Sequence, residues 1–174
     1  MQNATKKKWL IGAAAAVLAA ALVVAGFWFL KPSAKRVHAH VPTLSLEYAV
    51  GGVEHSTRAS MGGSWSWRLR RQIIISISCG GSVFGYDPAY PTVPSNVDGG
   101  TLRLAFSKPP TDVEIRRWPD KYIGDEQARE RELELYDTVK LTDGAIALPR
   151  GEGHIYRVNA RWKRGHAEYY FYVK

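Results

Sequence analysis

The residues best suited to chemistry are too few, or too far apart in the sequence, to form a recognisable reactive site. His38 and His40 are two residues apart and could ligate one metal ion, but no third ligand follows closely, so no metal site is predicted. Asp87 and His154 could join a serine in a catalytic triad, yet no Gly-x-Ser-x-Gly turn marks a nucleophile. Cys79, the only cysteine, is more typical of a small buried apolar residue than of a nucleophile. The sequence therefore predicts no enzymatic activity and no cofactor.

A binding surface is easier to derive, because the C-terminal residues predict a β-hairpin. Two runs of alternating apolar and polar residues flank a turn at residues 163–166. Pairing Trp162 with Ala167 collects the apolar residues on one face and places Arg161 opposite Glu168 on the other. The outward residues proposed to bind a ligand are Arg157, Arg161, Tyr170 and Tyr172. Such rings and guanidinium groups suit sugars, protein side chains or anionic polymers. In the alternative, the tyrosines only cover neighbouring strands and Glu168 holds Arg161.

The elements that position this hairpin are predicted to be β-strands. Apolar residues alternate with polar or small ones in residues 44–50, 65–70 and 102–106, which is typical of half-buried strands. Glycine pairs at 51–52, 62–63, 80–81 and 99–100 are predicted turns. Four isoleucines in residues 73–78 predict a strand buried on both faces or packed against a second sheet. A short helix is predicted at residues 125–133 with Asp125 as its N-cap, a solvated loop being the alternative.

Trp9 and Leu30 bound an uncharged apolar run that predicts a transmembrane helix. At about 1.5 Å per residue, this run matches the roughly 30 Å hydrocarbon core of a bilayer. A signal peptide cleaved before Gly26 is the alternative, but the run exceeds the ~7–15 residues of a signal core, so we favour an uncleaved anchor. Residues 1–8 are then a cytoplasmic stub, 9–30 the anchor, 31–41 a juxtamembrane linker and 42–174 one extracytoplasmic domain.

The predicted domain is mildly basic. The chain has 24 Lys and Arg against 16 Asp and Glu, and four of the lysines lie in residues 1–31, which contain no acid. Residues 32–174 therefore keep 20 basic against 16 acidic residues. This excess is small for a nucleic-acid binder, and nucleic acid is not an expected partner. It suits an anionic wall polymer or lipid headgroups.

Four aromatic and turn patches stand out in residues 42–174. They are Gly63-Ser64-Trp65-Ser66-Trp67; Phe106 to Pro109 with Val113, Ile115 and Trp118; Leu148-Pro149 with Gly151; and Tyr156, Val158, Ala160 and Trp162 followed by Tyr169, Phe171 and Val173. In these patches the chain resembles small uncharacterised proteins of Gram-positive bacteria, membrane-anchored or secreted, that have a single immunoglobulin-like domain. The resemblance implies an all-β, Ig-like β-sandwich and transfers no catalytic or binding residue. The chain departs from it at His154, where the family often has Tyr, and in residues 68–85, which are longer than usual.

These features predict a membrane-anchored, extracytoplasmic binding or interaction module of the bacterial cell envelope. Its N-terminus would lie inside the cell and its domain outside. The expected partners are the membrane, through residues 9–30, and an anionic wall polymer or an envelope protein. Two alternatives stay open: a regulatory or sensory ectodomain that acts through a partner membrane protein, and a secreted protein released by signal-peptide cleavage.

Protease added to intact wall-less cells tests the predicted topology. We expect digestion of the chain after Leu30, because that region is placed outside the membrane. An immunoblot against a C-terminal tag measures the loss, with a cytoplasmic protein as the control for cell integrity. Protection of the domain would contradict the orientation, and a mature N-terminus at Gly26 would support the secreted alternative.

Overall fold

The strands of the chain form two sheets. The computed structural model describes residues 38–69, 72–77, 82–85, 90–151 and 153–174. The small sheet has the spatial order β2 (Val53–Arg58), β1 (Leu44–Val50), β6 (Thr101–Phe106) and β9 (Ala145–Ala147). The large sheet has the order β4 (Gln72–Ile77), β3 (Ser60–Leu69), β11 (Gly165–Val173), β10 (His154–Trp162), β7 (Asp112–Pro119) and β8 (Asp137–Val139). Strand β5 (Thr92–Val93) pairs in parallel with the end of β11, and the other pairings are antiparallel.

One hydrophobic core joins the two sheets. Its largest members are Leu44, Leu46, Leu102, Leu104 and Ile146 from the small sheet, and Trp65, Trp67, Ile115, Tyr156, Val158, Tyr169 and Phe171 from the large sheet. The rings of Tyr156 and Phe171, which are cross-strand partners, stack with their centroids 4.8 Å apart. The alternation predicted for residues 44–50, 65–70 and 102–106 is confirmed where the structure describes it, and so is the all-β class. The shared core makes the domain a two-sheet β-sandwich.

The predicted transmembrane helix at residues 9–30 lies outside the described residues, as do Cys79 and Asp87. Among the residues that the structure does describe, no helix has the length and apolar character needed to cross a bilayer.

Two of the predicted glycine turns are confirmed, and a third is wrong. Gly51 and Gly52 have φ angles of 59° and 79°, and their amides donate to the Asp98 carboxylate at 3.1 and 2.7 Å. The pair at 99–100 also has positive φ angles, whereas the pair at 80–81 lies outside the described residues.

Gly62 lies within β3, where a bulge leaves two residues between Gly62 and Trp65 without a partner on β11. A Cβ on Gly62 would come within 3.2 Å of the Tyr170 ring, so a larger residue would require this ring to shift.

The prediction that the isoleucine-rich strand is buried on both faces is wrong. This strand is β4, which lies at the end of the large sheet and, among the described strands, pairs only with β3. Ile74 packs against the core, but Ile73 and Ile75 are 56% and 61% exposed. One face of β4 meets the core through Ile74, so an uncharged run at this position still alternates between core and solvent.

The predicted C-terminal hairpin forms, but its predicted register is wrong by two residues. Trp162 pairs with Gly165, so the turn consists of Lys163 and Arg164 alone. Arg161 therefore faces His166 rather than Glu168. A shift by two keeps each side chain on its predicted face, which is why the apolar and polar faces are nevertheless correct. The physical reason is that Gly165 is a strand residue: a Cβ there would overlap the Ser66 carbonyl of β3.

The predicted N-cap of the short helix is confirmed. The Asp125 carboxylate accepts hydrogen bonds from the amides of Gln127 and Ala128, at 2.9 and 3.2 Å. The helix, α1, spans Glu126–Glu130 and is followed by a 3-10 turn at Glu132–Glu134. Two further 3-10 turns lie at Asp98–Gly100 and Asp120–Tyr122.

The substitution Gly165→Ala tests the corrected register. The new methyl group would overlap the Ser66 carbonyl, so β3 and β11 must separate locally, and overpacking of this kind costs about 1–3 kcal/mol or more. Lys163→Ala, in the exposed turn beside it, is the matched control and should change stability by less than about 0.5 kcal/mol. Urea unfolding of the purified full-length chain in detergent, followed by tryptophan fluorescence, measures both. Equal midpoints would show that Gly165 is not in close contact with β3.

Candidate functional site

The outer face of the large sheet points away from the small sheet, and the described residues cover one end of it. A second hydrophobic cluster lies there, formed by Val83, Phe84, Trp118, Ala128, Ile155 and Tyr170. The indole Nε1 of Trp118 donates to the Glu132 carbonyl oxygen at 2.8 Å, which fixes residues 132–134 over the sheet. Strands β3, β10 and β11 continue beyond this cover, and no described residue packs over their other ends, which line a groove on this face.

Three of the four sequence-predicted site residues lie within or beside this cover. Tyr170 is 7% exposed, and the Tyr90 ring stacks on it with the centroids 5.5 Å apart. Arg157 is 15% exposed at its side chain, and its guanidinium carbon lies 5.0 Å from the centroid of the Trp118 ring. The hydroxyl of Tyr172 donates to Asp120 Oδ2 at 2.7 Å.

These three residues share the outer face with Arg161, as the alternation predicted, but the four do not form one flat exposed surface. Arg161 is exposed and lies at the uncovered end of β10. Substituting Arg157 and Tyr172 would therefore disturb packing and the contact with Asp120, so this pair is unsuitable as a test of binding.

The uncovered end of the outer face is an open groove of about 570 Å³, which we call the hairpin groove. Its polar lining includes Ser64 and Ser66 from β3, Asn159 and Arg161 from β10, and His166 and Glu168 from β11. Ile73 of β4 forms one side. Arg68, Lys163 and Arg164 lie around its rim, and Arg164 is held next to Arg68 because its carbonyl accepts the Arg68 amide at 2.6 Å.

The β3 bulge builds one part of the groove floor. Ser64 is one of the two residues that the bulge leaves without a partner on β11, and its amide donates to Glu168 Oε2 at 3.0 Å. The same carboxylate oxygen accepts the Tyr170 hydroxyl at 3.2 Å. Burial is the main cause that raises the pKa of Tyr170 above its usual range, and the negative charge of Glu168 adds to it. This hydroxyl therefore remains a donor. Glu168 is thus committed to contacts within the domain.

Ser66 and His166 form the other part of the floor. They are cross-strand partners, and Ser66 Oγ lies 2.8 Å from His166 Nδ1. A nucleophilic serine would need its histidine to be oriented by a third group. The nearest carboxylate along the strand, Glu168, is instead bonded to Ser64 and Tyr170. The pair therefore has the geometry of a hydrogen-bonding floor and lacks the third member of a triad among the described residues.

The rim of the hairpin groove is strongly cationic. Arg68, Arg161, Lys163 and Arg164 are exposed, and within the described chain none of them makes an ion pair. Glu114, beside Asn159, is neutralised by Arg116 at 2.5 Å. Burial raises the pKa of Glu114, but the hydrogen bond and charge of Arg116 outweigh burial and lower the pKa overall. Glu168 is thus the one carboxylate in the groove's described lining.

Two further hollows in the described part of the chain offer fewer unpaired cations. One, of about 550 Å³, has Arg58 as its only arginine or lysine, with His38 nearby. Another, of about 440 Å³, contains Lys140 and Arg117, and Arg117 is bonded to Asp137 at 3.4 Å. The hairpin groove is therefore the best candidate for a binding site.

The histidines considered from the sequence do not assemble a reactive centre in the described residues. The His38 ring meets Trp65 edge to face at 5.6 Å, and His40 is exposed. His154 is 6% exposed and lies 6.3 Å from the Tyr156 ring, as expected for a residue used in packing. No three His, Cys, Asp or Glu side chains converge as metal ligands in these parts of the chain.

The sequence does not predict Ser66 and His166 as neighbours. They come together through the pairing of β3 with β11, 100 residues apart, which leaves no local signal in the sequence.

Glu168→Ala tests the role of this carboxylate. Removing it leaves the Ser64 amide and the Tyr170 hydroxyl without their acceptor, and we expect a loss of about 1–3 kcal/mol in the free energy of unfolding. Glu168→Gln keeps an acceptor oxygen and should lose clearly less. Urea unfolding of the full-length chain compares the two variants. Equal losses would show that the hydrogen bonds are not what Glu168 contributes.

Comparison with known proteins gives no family assignment. The chain matches no protein-family model, no curated protein and no solved structure. The residues and charges of the hairpin groove are therefore the basis for the function proposed below.

Proposed function

We propose that this chain is a membrane-anchored, extracytoplasmic binding module of the bacterial cell envelope, and that it binds an anionic partner in the hairpin groove. In this proposal residues 9–30 hold an Ig-like sandwich outside the cell membrane, and the domain performs no catalysis. The observation that carries the proposal is the set of four exposed cationic side chains around a groove whose single described carboxylate is already hydrogen-bonded.

The arrangement suits recognition of carboxylates or phosphates. Arginine presents a planar fork that binds either anion through two hydrogen bonds, and Arg68, Arg161 and Arg164 all line the groove. Ser66 and His166 add short hydrogen-bonding groups on the floor. The ring nitrogen that does not meet Ser66, Nε2, adds a further polar contact.

The small free energy of each exposed ion pair favours a repeating or extended partner over a single small anion. An exposed ion pair contributes about 0.2–1 kcal/mol, so four such pairs supply at most about 4 kcal/mol. That corresponds to a dissociation constant of about 1 mM for one anionic group. A polymer or a protein segment with several negative charges can occupy the rim at several points and bind more tightly.

Binding to immobilised polyphosphate tests the proposal. The variant Arg161→Ser with Arg164→Ser should bind about tenfold more weakly than wild type, a loss of about 1.4 kcal/mol. The matched control is Arg103→Ser with Arg150→Ser, which removes two exposed arginines outside the groove lining and causes the same change in net charge. Full-length protein in detergent is used, and raising the salt from 50 to about 300 mM should weaken wild-type binding. Equal loss in both double variants would show that net charge, and not the groove, binds the polyanion.

A further inference from the structure

Within the described residues, strand β4 leaves one edge of the large sheet without a neighbouring strand. Among the described strands it pairs only with β3, so the backbone groups on its other side have no strand partner there. Ile73 and Ile75 are more than half exposed, and their cross-strand partners Arg68 and Ser66 both line the hairpin groove. Natural sheets usually protect such edges with charges, prolines, bulges or a covering segment. Two exposed isoleucines on an edge strand are the opposite of that protection.

The charge next to this edge is positive. Arg68 is the cross-strand partner of Ile73, so both side chains lie on the outer face at the same end of β4. Arg164 is adjacent, because its carbonyl oxygen accepts the Arg68 amide. The open edge thus combines an apolar row at Ile73 and Ile75 with two cationic side chains at one end.

We propose that an extended, acidic segment of a partner polypeptide adds to the open edge of β4 as a further strand. Its backbone pairs with β4, its apolar side chains cover Ile73 and Ile75, and a carboxylate at one end contacts Arg68. This inference rests on the proposed function, since it identifies the anionic partner of the hairpin groove as a polypeptide. Strand addition of this kind takes its affinity from backbone pairing and its specificity from alternate side chains.

Strand spacing limits which groove residues such a segment can touch. Neighbouring strands are about 4.8 Å apart, so an added strand would lie about 10 Å from β3 and about 19 Å from β10. A glutamate on the added strand can contact Arg68 of β3, because the two strands are only about 10 Å apart. Arg161 of β10 is too far away for direct contact. Strand addition therefore depends on Ile73, Ile75 and Arg68, whereas polyphosphate can also occupy the part of the groove near Arg161.

A symmetric peptide probe tests strand addition in either strand direction. The probe is a labelled, end-blocked heptapeptide with the order Glu-Thr-Val-Thr-Val-Thr-Glu, which places both valines and both glutamates on one face. Its binding to the full-length chain in detergent is followed by fluorescence anisotropy. A second probe has N-methyl groups on all five inner residues, which removes the backbone donors on both sides of the strand without changing charge. A third has lysine in place of both glutamates. We expect each modified probe to bind at least tenfold more weakly.

Protein variants separate the edge from the groove. Ile73→Thr with Ile75→Thr keeps β-branched residues in an exposed strand and should reduce peptide binding about tenfold while polyphosphate binding stays unchanged. Arg68→Ser should weaken the peptide, and Arg161→Ser should not. The control pair is Val53→Thr with Leu133→Thr, which changes two other exposed apolar residues. Unchanged urea midpoints confirm that the variants are folded.

Five outcomes would overturn strand addition. The first is equal binding of the N-methylated and unmodified probes, and the second is an unaltered affinity in the Ile73 and Ile75 double variant. The third is a wild-type dimer that this double variant loses, which would identify a second copy of the chain as the occupant. The fourth is polyphosphate binding without peptide binding, which would reject the inference and leave the proposed function standing. The fifth is a failure of both polyphosphate and the unmodified peptide to bind, which would reject the inference and the proposed function together.

Discussion

The pairing of β11 with strands on both sides is the constraint on which the domain depends. β11 lies between β3 and β10, and its inward residues, including Tyr169 and Phe171, fill the space between the two sheets. Its outward residues Tyr170 and Tyr172 meet the second cluster, whereas Glu168 and His166 line the hairpin groove. The hairpin groove is therefore a consequence of covering one half of a long strand and leaving the other half bare. The close approach of β3 at Gly165 fixes the end of this bare half.

The alternation of apolar and polar residues is sufficient to assign the inward and outward faces of each strand. It does not identify which strands lie beside each other. The inward positions of Trp65, Trp67 and Tyr169 follow from alternation, because one side of each strand meets the other sheet. The sequence predicts Gly165 as a turn residue, since glycine serves both tight turns and close approaches, and only the position of β3 distinguishes them. The edge position of β4 had no local signal either. Burial of a strand depends on how many strands lie beyond it, which composition does not reveal.

The candidate site was predictable to a similar extent. Arg161 was correctly placed on the outward face of the hairpin, where it is exposed. Arg157, Tyr170 and Tyr172 share that face, but segments far away in the sequence cover or contact them: Glu132 lies beside Arg157, Tyr90 stacks on Tyr170, and Asp120 accepts from Tyr172. Such covering segments have no periodic relation to the strands they protect. Surface predictions made from a single hairpin therefore overestimate exposure.

The floor and the rim of the groove have different physical characters, and Arg68 connects them with the open edge. Glu168 is fixed by the Ser64 amide and the Tyr170 hydroxyl, which preorganises the floor but also puts a negative charge near any bound anion. The rim arginines are exposed and can adjust to a partner at the cost of side-chain entropy.

Because Arg68 belongs both to the rim and to the edge at Ile73, an anion in the groove and a carboxylate on an added strand would compete for it. Under thermodynamic linkage that competition is reciprocal: each ligand weakens the other by the same factor. A polyanion near Arg68 would thus reduce the chance that a protein strand occupies the edge, so one arginine would couple the two binding surfaces.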